Sequence, residues 1–309
     1  MNSERIKQIK KRKQQRNRKK LIMLAIMLAG LVLIVSLIIS GVKGVSRAIK
    51  SAIPTPSPTP VAIIKDSDIP TVSGSEASVK EMDAAPLPIP SPDENNDLLS
   101  IVENSGSQKK MCYLTFDDGP NNSITPQVLD ILRRYNIKAT FFQVGTLIEA
   151  NPDICRRVFE EGHLVANHTY DHTYGKIYAD DESFLTEFNK TAELIKEITG
   201  DSYFPLVRFP GGSHNTGTYG EVKQKYKKLL ADNGYYFCDW NALSGDAEGS
   251  YKTAEQLINR IKSTAEGKTQ AVVLMHDAGN KKQTVEALPD IIEYFIKNGY
   301  SFSTLNRLF

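Results

Sequence analysis

The feature that most constrains the fold is a regular alternation of helical and strand patterns between residues 109 and 309. Six amphipathic segments predict helices, and five of them end at a Gly, the residue that favours the left-handed conformation after a helix. Apolar strand patterns separate them. The predicted strands are Met111–Phe116, Lys138–Val144, His163–Asn167, Leu206–Phe209, Tyr235–Trp240, Gln270–Met275 and Tyr300–Leu305. The predicted helices are Ile124–Tyr135, Leu147–Glu161, Asp181–Thr199, Tyr219–Asn233, Thr253–Glu266 and Thr284–Asn298.

Repeated strand–helix units with apolar strands predict an α/β domain, in which helices cover a parallel sheet. Seven strands favour a closed or nearly closed barrel over an open doubly wound sheet. No G-x-G-x-x-G or G-K-[ST] motif follows any strand, so no nucleotide cofactor is expected.

Charge is distributed unevenly along the chain. Residues 1–20 carry ten Lys and Arg against one acid, Glu4, whereas the rest of the chain has 28 basic and 35 acidic residues. The basic character therefore belongs to a tail, and we expect no nucleic-acid partner. The three cysteines, Cys112, Cys155 and Cys238, are too few and too widely spaced for a disulfide framework, so we expect small buried side chains.

Residues 21–42 form an uncharged apolar run long enough to cross a bilayer of about 30 Å as one helix. The run is too long for a signal peptide and has no small-residue cleavage site at its end. The basic residues 1–20 precede it, so the positive-inside rule puts the N-terminus in the cytoplasm and the rest of the chain outside the cell membrane. Residues 43–108 are rich in Pro and Ser, which predicts a disordered or semi-stiff extracytoplasmic linker. The domain then occupies residues 109–309.

The first predicted strand ends in Thr115-Phe116-Asp117-Asp118-Gly119-Pro120. Successive side chains of a strand point to opposite faces, but at a strand end the backbone leaves the pleat, so both carboxylates can face one cavity. Two buried neighbouring carboxylates repel each other and need a cation or a proton to compensate.

Other polar residues also stand where predicted strands end. They are His168 and His172 after the third strand, Arg208 in the fourth, Asp239 and Trp240 in the fifth, and His276 after the sixth. In a β/α barrel these ends meet at one mouth, where catalytic residues collect, so we expect a shared site there.

His168 and His172 are four residues apart, one helical turn, and could face the same point. Together with one carboxylate they would make a three-ligand site with an open position, which is typical of a catalytic metal. Zn²⁺ suits these ligands, although two His and one carboxylate can also hold Fe²⁺ for oxygen chemistry.

In order along the chain, Thr115–Gly119 (TFDDG), His168–His172 (HTYDH), Arg208–Gly212 (RFPGG), Asp239-Trp240 and Leu274–His276 (LMH) resemble the five motifs of the polysaccharide deacetylases. These enzymes are also called the NodB homology family or carbohydrate esterase family 4. The resemblance covers nearly all of residues 111–309 and implies an irregular (β/α)7 barrel. The third motif departs from the R-P-P-Y-G found in many members.

The resemblance also implies roles for individual residues. Asp117 would be the general base, held by Arg208, and His276 the general acid, tuned by Asp239. Asp118, His168 and His172 would bind one divalent ion, most simply Zn²⁺, with Co²⁺, Ni²⁺ or Mn²⁺ as alternatives. The expected substrate-pocket residues are Pro210, Gly211, Trp240 and Leu274.

The chemistry agrees with these roles, because amide hydrolysis needs a polarised carbonyl, an activated water and a proton for the departing amine. Members with this layout resemble peptidoglycan N-acetylglucosamine deacetylases, so cell-wall glycan is the expected substrate. Three alternatives stay open. They are deacetylation of another extracellular polysaccharide, a wall-binding ectodomain without catalysis, and a metal-dependent oxygenase.

Overall fold

The computed structural model describes residues 91–92, 95–214 and 217–308. The predicted tail of residues 1–20, the predicted membrane span of residues 21–42 and most of the predicted linker lie outside these residues. Among the described residues, no helix combines the length and the apolar character needed to cross a membrane.

Nine α-helices lie in the described part of the chain. They are α1 (Leu98–Glu103), α2 (Thr125–Arg134), α3 (Gly145–Ala150), α4 (Pro152–Glu160), α5 (Tyr174–Ile177), α6 (Asp181–Thr199), α7 (Gly220–Asp232), α8 (Ala254–Ala265) and α9 (Lys282–Lys297). The eight strands are β1 (Met111–Gly119), β2 (Thr140–Gln143), β3 (Leu164–Asn167), β4 (Leu206–Val207), β5 (Tyr236–Phe237), β6 (Ala242–Leu243), β7 (Gln270–His276) and β8 (Ser301–Phe302). Two short 3-10 helices span Gly200–Ser202 and Leu305–Leu308.

The strands form one parallel sheet in the order β5-β4-β3-β2-β1-β7-β6, and β8 pairs with the beginning of β1. The prediction of an α/β domain with a parallel sheet is therefore confirmed. Within the described residues no ladder joins β5 to β6 at the two ends of this order, so the sheet is a half-barrel.

The register of the sheet brings the carboxyl ends of several strands to one edge of the sheet. Asp117 lies opposite His276 on β7, and Asn167, the last residue of β3, lies opposite Val207 on β4. The residues that follow these strands therefore lie at the same edge of the sheet, as the sequence predicts.

Alternation along β1 decides which side chains reach the inside of the half-barrel. Cys112, Leu114 and Phe116 pack in the large core between the sheet and the helices, whereas Tyr113 packs in a second cluster on the opposite face. Thr115 and Asp117 share the parity of Tyr113 and point to that inner face. The three cysteines are free and buried, as expected.

The predicted helix caps are confirmed, because Gly162, Gly200, Gly234, Gly267 and Gly299 all have positive φ. The predicted helix over Leu147–Glu161 is wrong in one respect, since it is two helices that meet at Asn151. Pro152 begins the second helix, and a proline disfavours the α conformation of the residue before it. Strand β6 was missed, because it follows β5 after only four residues and with no helix between them, so the strand–helix alternation does not indicate it.

Helix α1 lies inside the segment that the sequence predicts to be a linker. Asp97 caps it by accepting hydrogen bonds from the N–H groups of Leu99 and Ser100, and the helix buries Leu98 and Val102 in the inner cluster with Tyr113. The end of the predicted linker is therefore an ordered part of the domain. A six-residue helix makes fewer than two turns, which is too short for its periodicity to be recognised.

Candidate active site

Asp118, His168 and His172 come together at the mouth of the half-barrel. Nε2 of His168 lies 3.5 Å from Oδ1 of Asp118, and Nε2 of His172 lies 3.4 Å from the same oxygen. One ligand atom of each residue lies within 4.8 Å of those of the other two. Two imidazole nitrogens and a carboxylate oxygen are a donor set that fits a divalent ion such as Zn²⁺.

The backbone bends to bring these groups together. Asp118 has φ +69°, so the chain leaves the pleat of β1 directly after Asp117, and both carboxylates face the same cavity. The helical reason given for the histidine pair is wrong, because residues 168–172 form no helix. Thr169 and His172 have φ values of +70° and +59°, and this bent loop brings the two rings to a centroid distance of 4.9 Å.

Glu187, which was not predicted as a site residue, holds the loop of residues 168–172 (the histidine loop). Its side chain is 2% exposed, and its Oε2 accepts the backbone N–H groups of Tyr170 and Asp171 at 3.0 and 2.9 Å. Its Oε1 lies 2.9 Å from Nζ of Lys176. The available signal was an acidic residue on the apolar face of α6, next to Phe184 and Phe188, since a buried acid needs partners.

The protonation state of His168 suits a metal ligand. Nδ1 of His168 lies 3.0 Å from the carbonyl oxygen of Arg208, to which it donates in the tautomer that leaves Nε2 as an acceptor facing Asp118. Burial lowers the pKa of His168 to about 3, the charge of His172 adds to the decrease, and Asp118 opposes it. The imidazole is therefore neutral at physiological pH.

Arg208 holds Asp117, as the motif resemblance implies, with Nη1 donating to Oδ1 of Asp117 at 2.8 Å. The guanidinium is fully buried, donates also to Thr115 Oγ1 and to the carbonyl oxygens of Cys238 and Asp239, and stacks over Phe142 at 3.9 Å. Oδ2 of Asp117 lies 3.7 Å from Nε2 of His168 and faces the cluster of Asp118, His168 and His172. Burial raises the pKa of Asp117, although Arg208 opposes this.

The carboxylate partner of His276 is Asp246, not Asp239 as predicted. Nδ1 of His276 lies 2.7 Å from Oδ1 of Asp246, and the backbone N–H of His276 donates to Oδ2 of Asp246 at 2.9 Å. Burial lowers the pKa of His276, but the hydrogen bond to Asp246 and its charge outweigh burial, so the net pKa is raised. Burial also opposes ionisation of Asp246, and the contacts with His276 nevertheless keep its pKa below the usual range.

Asp239 instead supports the loop of residues 208–213, which contains the third motif (the third-motif loop). Its carboxylate accepts the backbone N–H of Ser213 at 2.9 Å and the Ser213 hydroxyl at 2.6 Å. Asp246 was missed because it follows the two-residue strand β6, which the sequence pattern does not reveal. The available sequence signal for Asp246 was its place directly after a glycine, which is typical of a turn. In the structure Gly245 has φ +72°.

The four predicted pocket residues lie in three places: Pro210 and Gly211 follow β4, Trp240 follows β5, and Leu274 is in β7. Pro210 is buried, Gly211 is exposed, Trp240 is half-buried with its ring edge-on to His214, and Leu274 is 7% exposed on β7. Lys223, a buried residue of α7 that the sequence did not single out, donates from Nζ to the carbonyl oxygens of Pro210 and Gly212 at 3.0 and 2.7 Å. Helix α7 therefore holds the third-motif loop in place through Lys223.

Asp277, which was also not predicted as a site residue, lies beneath the Asp-Asp-Gly turn. It is fully buried, and Oδ2 accepts the Thr125 hydroxyl at 2.5 Å. Its backbone N–H donates to the carbonyl oxygen of Asp117 at 3.1 Å. A Cβ atom on Gly119 would lie 2.4 Å from Oδ2 of Asp277, so only glycine fits at that position in this turn.

Comparison with known proteins agrees with this geometry. The family model for polysaccharide deacetylases matches residues 104–230. A peptidoglycan-N-acetylglucosamine deacetylase of Bacillus cereus is 34% identical over 206 residues, which cover 65% of this chain and 89% of that enzyme. The peptidoglycan-N-acetylglucosamine deacetylase PgdA of Listeria monocytogenes is 34% identical over 200 residues, but this chain covers only 39% of its length.

Among solved structures, the catalytic domain of peptidoglycan N-acetylglucosamine deacetylase from Eubacterium rectale superimposes with a TM-score of 0.58. It is 32% identical, and the match covers 65% of this chain and 93% of that domain. The similarity extends over most of the length of the Bacillus enzyme and of the Eubacterium domain. In the present structure the motif residues meet at one mouth. This chain therefore belongs to the polysaccharide deacetylase family.

Proposed function

We propose that this protein hydrolyses the N-acetyl groups of N-acetylglucosamine in peptidoglycan with the help of one divalent metal ion. Membership of the family and the names of its relatives support a hydrolase that acts on N-acetyl amide bonds of a polysaccharide. We also infer that the half-barrel is the irregular (β/α)7 barrel that the motif resemblance implies. The seven strands along its main order support this.

Asp118, His168 and His172 would hold the ion. A bound divalent ion would polarise the amide carbonyl and lower the pKa of a water molecule. All further acid–base chemistry belongs to residues of the chain. The donor set supports Zn²⁺, and Co²⁺, Ni²⁺ or Mn²⁺ could replace it.

The general-base role of Asp117 carries the mechanism, and one observation supports it most directly. Arg208 occupies Oδ1 of Asp117, which leaves Oδ2 turned towards the proposed metal site, 3.7 Å from Nε2 of His168. Asp117 takes a proton from water as the water oxygen bonds to the amide carbon. Its carboxylate is buried and held in place by Arg208, so it is positioned to accept that proton.

His276 acts as the general acid. Asp246 accepts the hydrogen bond from Nδ1 of His276. The proton that can be donated is therefore the one on the other ring nitrogen, Nε2. The amide nitrogen receives this proton as the bond between carbon and nitrogen breaks. The products are acetate and a glucosamine amine. Asp117 releases to solvent the proton that it took from water, and His276 recovers its proton from solvent.

Substrate and location are proposed from the segments before the domain. The cytoplasmic tail (1–20), the membrane span (21–42) and the Pro-rich linker would place the domain outside the cell membrane, within reach of the wall. Fractionation of cells, followed by protease treatment of intact protoplasts, tests this. A full-length protein that stays protected from the protease would contradict the proposed orientation.

A panel of acetylated glycans tests the substrate. Acetate release is measured with peptidoglycan, N-acetylglucosamine oligomers, O-acetylated glycan and an exported polysaccharide. We expect the highest kcat/KM on the two substrates that carry N-acetylglucosamine. Release from only the O-acetylated or exported polymer would favour the alternative substrates, and binding without release would indicate a wall-binding domain.

A further inference from the structure

Tyr174 borders the mouth, although none of the motifs includes it. It begins α5, two residues after His172, and its ring lies edge-on to the His172 ring with a centroid distance of 5.8 Å. Its side chain also contacts the rings of Tyr178 and Tyr219, at 5.9 and 6.0 Å. These contacts fix the direction of the Tyr174 ring before any substrate binds.

The hydroxyl group of Tyr174 lies directly beside the backbone of Gly211. A Cβ atom on Gly211 would be 2.6 Å from the hydroxyl oxygen, whereas the nearest ring carbons would be at 3.6 and 3.7 Å. The absence of a side chain at position 211 therefore makes room for this hydroxyl. Within residues 95–214 and 217–308, no group forms a hydrogen bond with it.

The Gly211 side of this contact is also rigid. Lys223 is buried, and its Nζ donates hydrogen bonds to the carbonyl oxygens of Pro210 and Gly212. The Tyr178 hydroxyl adds a long contact of 3.5 Å to the carbonyl oxygen of Pro210. A ligand that meets Tyr174 and Gly211 therefore meets a preformed wall, which lowers the entropic cost of binding.

The depth of this wall indicates which part of a substrate it meets. Asp117 and His168, which would surround the reacting amide, are 3% and 2% exposed and form the floor of the mouth. Tyr174 is half-buried and Gly211 is exposed, so both lie at the rim. An acetyl group that reaches the floor leaves its sugar ring at the rim, where hydroxyl and ring oxygens can accept a hydrogen bond.

We propose that the Tyr174 hydroxyl donates a hydrogen bond to an oxygen of the sugar ring that carries the acetyl group, which makes Tyr174 a determinant of specificity for glycans. This inference rests on the proposed deacetylase function. A purely supporting role behind His172 would need only the aromatic ring, so the hydroxyl itself distinguishes the two roles.

The test compares Tyr174→Phe with the native protein on two substrates. One is an N-acetylglucosamine oligomer, and the other is 4-nitrophenyl acetate, which has an acetyl group but no sugar. Loss of one hydrogen bond should reduce the preference for the oligomer, expressed as the ratio of the two kcat/KM values, by roughly 3- to 10-fold, mainly through KM. The matched control is Tyr219→Phe, a neighbouring half-buried tyrosine, for which the ratio should not change.

Two outcomes would overturn the proposed role of Tyr174 but leave the proposed deacetylase function intact. They are an unchanged ratio in Tyr174→Phe, and equal losses on both substrates, which would put the hydroxyl on the acyl group. If the native protein hydrolyses the aryl ester but releases no acetate from N-acetyl glycans, the proposed function itself fails and this inference with it.

A double substitution tests the contact independently of substrate choice. Gly211→Ala should lose oligomer activity, because its Cβ would meet the Tyr174 hydroxyl and because alanine is strained at φ +69°. Adding Tyr174→Phe removes the atom at 2.6 Å and should restore KM part of the way to that of Tyr174→Phe alone. Strictly additive effects of the two changes on kcat/KM would show that the residues do not touch.

Discussion

Oδ1 of Asp246 lies 2.7 Å from Nδ1 of His276, and both residues belong to the mouth of the half-barrel. The carboxylate stabilises the protonated imidazole, so the pKa of His276 is raised above 6.5. A general acid that retains its proton above its ordinary pKa can work at neutral pH.

The first prediction concerns the alkaline side of the pH–rate profile. Activity that requires protonated His276 falls as pH rises through its raised pKa. In Asp246→Asn the stabilising charge is lost, so the alkaline limb of kcat should move to lower pH, and kcat at neutral pH should fall by about 10²-fold or more. Asp239→Asn is the matched control, because Asp239 binds Ser213 and should leave the position of the limb unchanged. A shift in the control but not in Asp246→Asn would restore the original pairing of His276 with Asp239.

The second prediction separates the two neighbouring carboxylates. Asp117→Asn should reduce kcat by about 10²- to 10⁴-fold with the metal still bound, because a proton acceptor is lost but no ligand. Asp118→Ala should lose both metal and activity. Metal content by elemental analysis, measured beside kcat, checks both variants. If Asp117→Asn empties the metal site while Asp118→Ala keeps it full, the two roles have been exchanged.

The sequence predicts some residues of this site but not others. Asp117, Asp118 and Arg208 could be predicted because each stands at the end of a recognisable strand, and parallel strands bring those ends together. Asp246 and Glu187 could not be assigned in this way. The position of Asp246 depends on how a two-residue strand pairs with β7, and Glu187 reaches the histidine loop from a helix packed against β3. Such contacts follow from tertiary packing rather than from a local pattern.

The third prediction concerns the histidine loop. Glu187→Gln keeps the size of the side chain but removes the charge that pairs with Lys176 and accepts two backbone N–H groups. The loop then loses part of its support, and metal affinity should fall by about 10- to 100-fold. Glu193→Gln, an exposed position on the same helix, is the control and should bind metal as the native protein does. Equal metal dissociation constants for Glu187→Gln and the native protein would show that the loop needs no such support.

The fourth prediction concerns the turn after the two carboxylates. Gly119→Ala would place Cβ within 2.4 to 2.7 Å of three carboxyl atoms of Asp277, and Gly119 and Asp277 are both buried. Overpacking of this kind should lower the free energy of unfolding by about 1–3 kcal/mol and displace Asp118. Gly175→Ala, where the nearest atom is 3.9 Å away, should be tolerated. Urea denaturation checks both, and a Gly119→Ala protein as stable and as active as Gly175→Ala would contradict the close packing of this turn.

The central claim is that the chain cleaves the amide bond of an N-acetyl sugar, and product stoichiometry on an N-acetylglucosamine oligomer tests it most directly. Acetate and newly formed primary amines are counted in the same reaction, with metal-loaded protein and with protein treated with a chelator. We predict one amine for every acetate with the metal-loaded protein, and loss of both products after chelation that added Zn²⁺ reverses. Acetate without amine, or full turnover by the metal-free protein, would contradict the account.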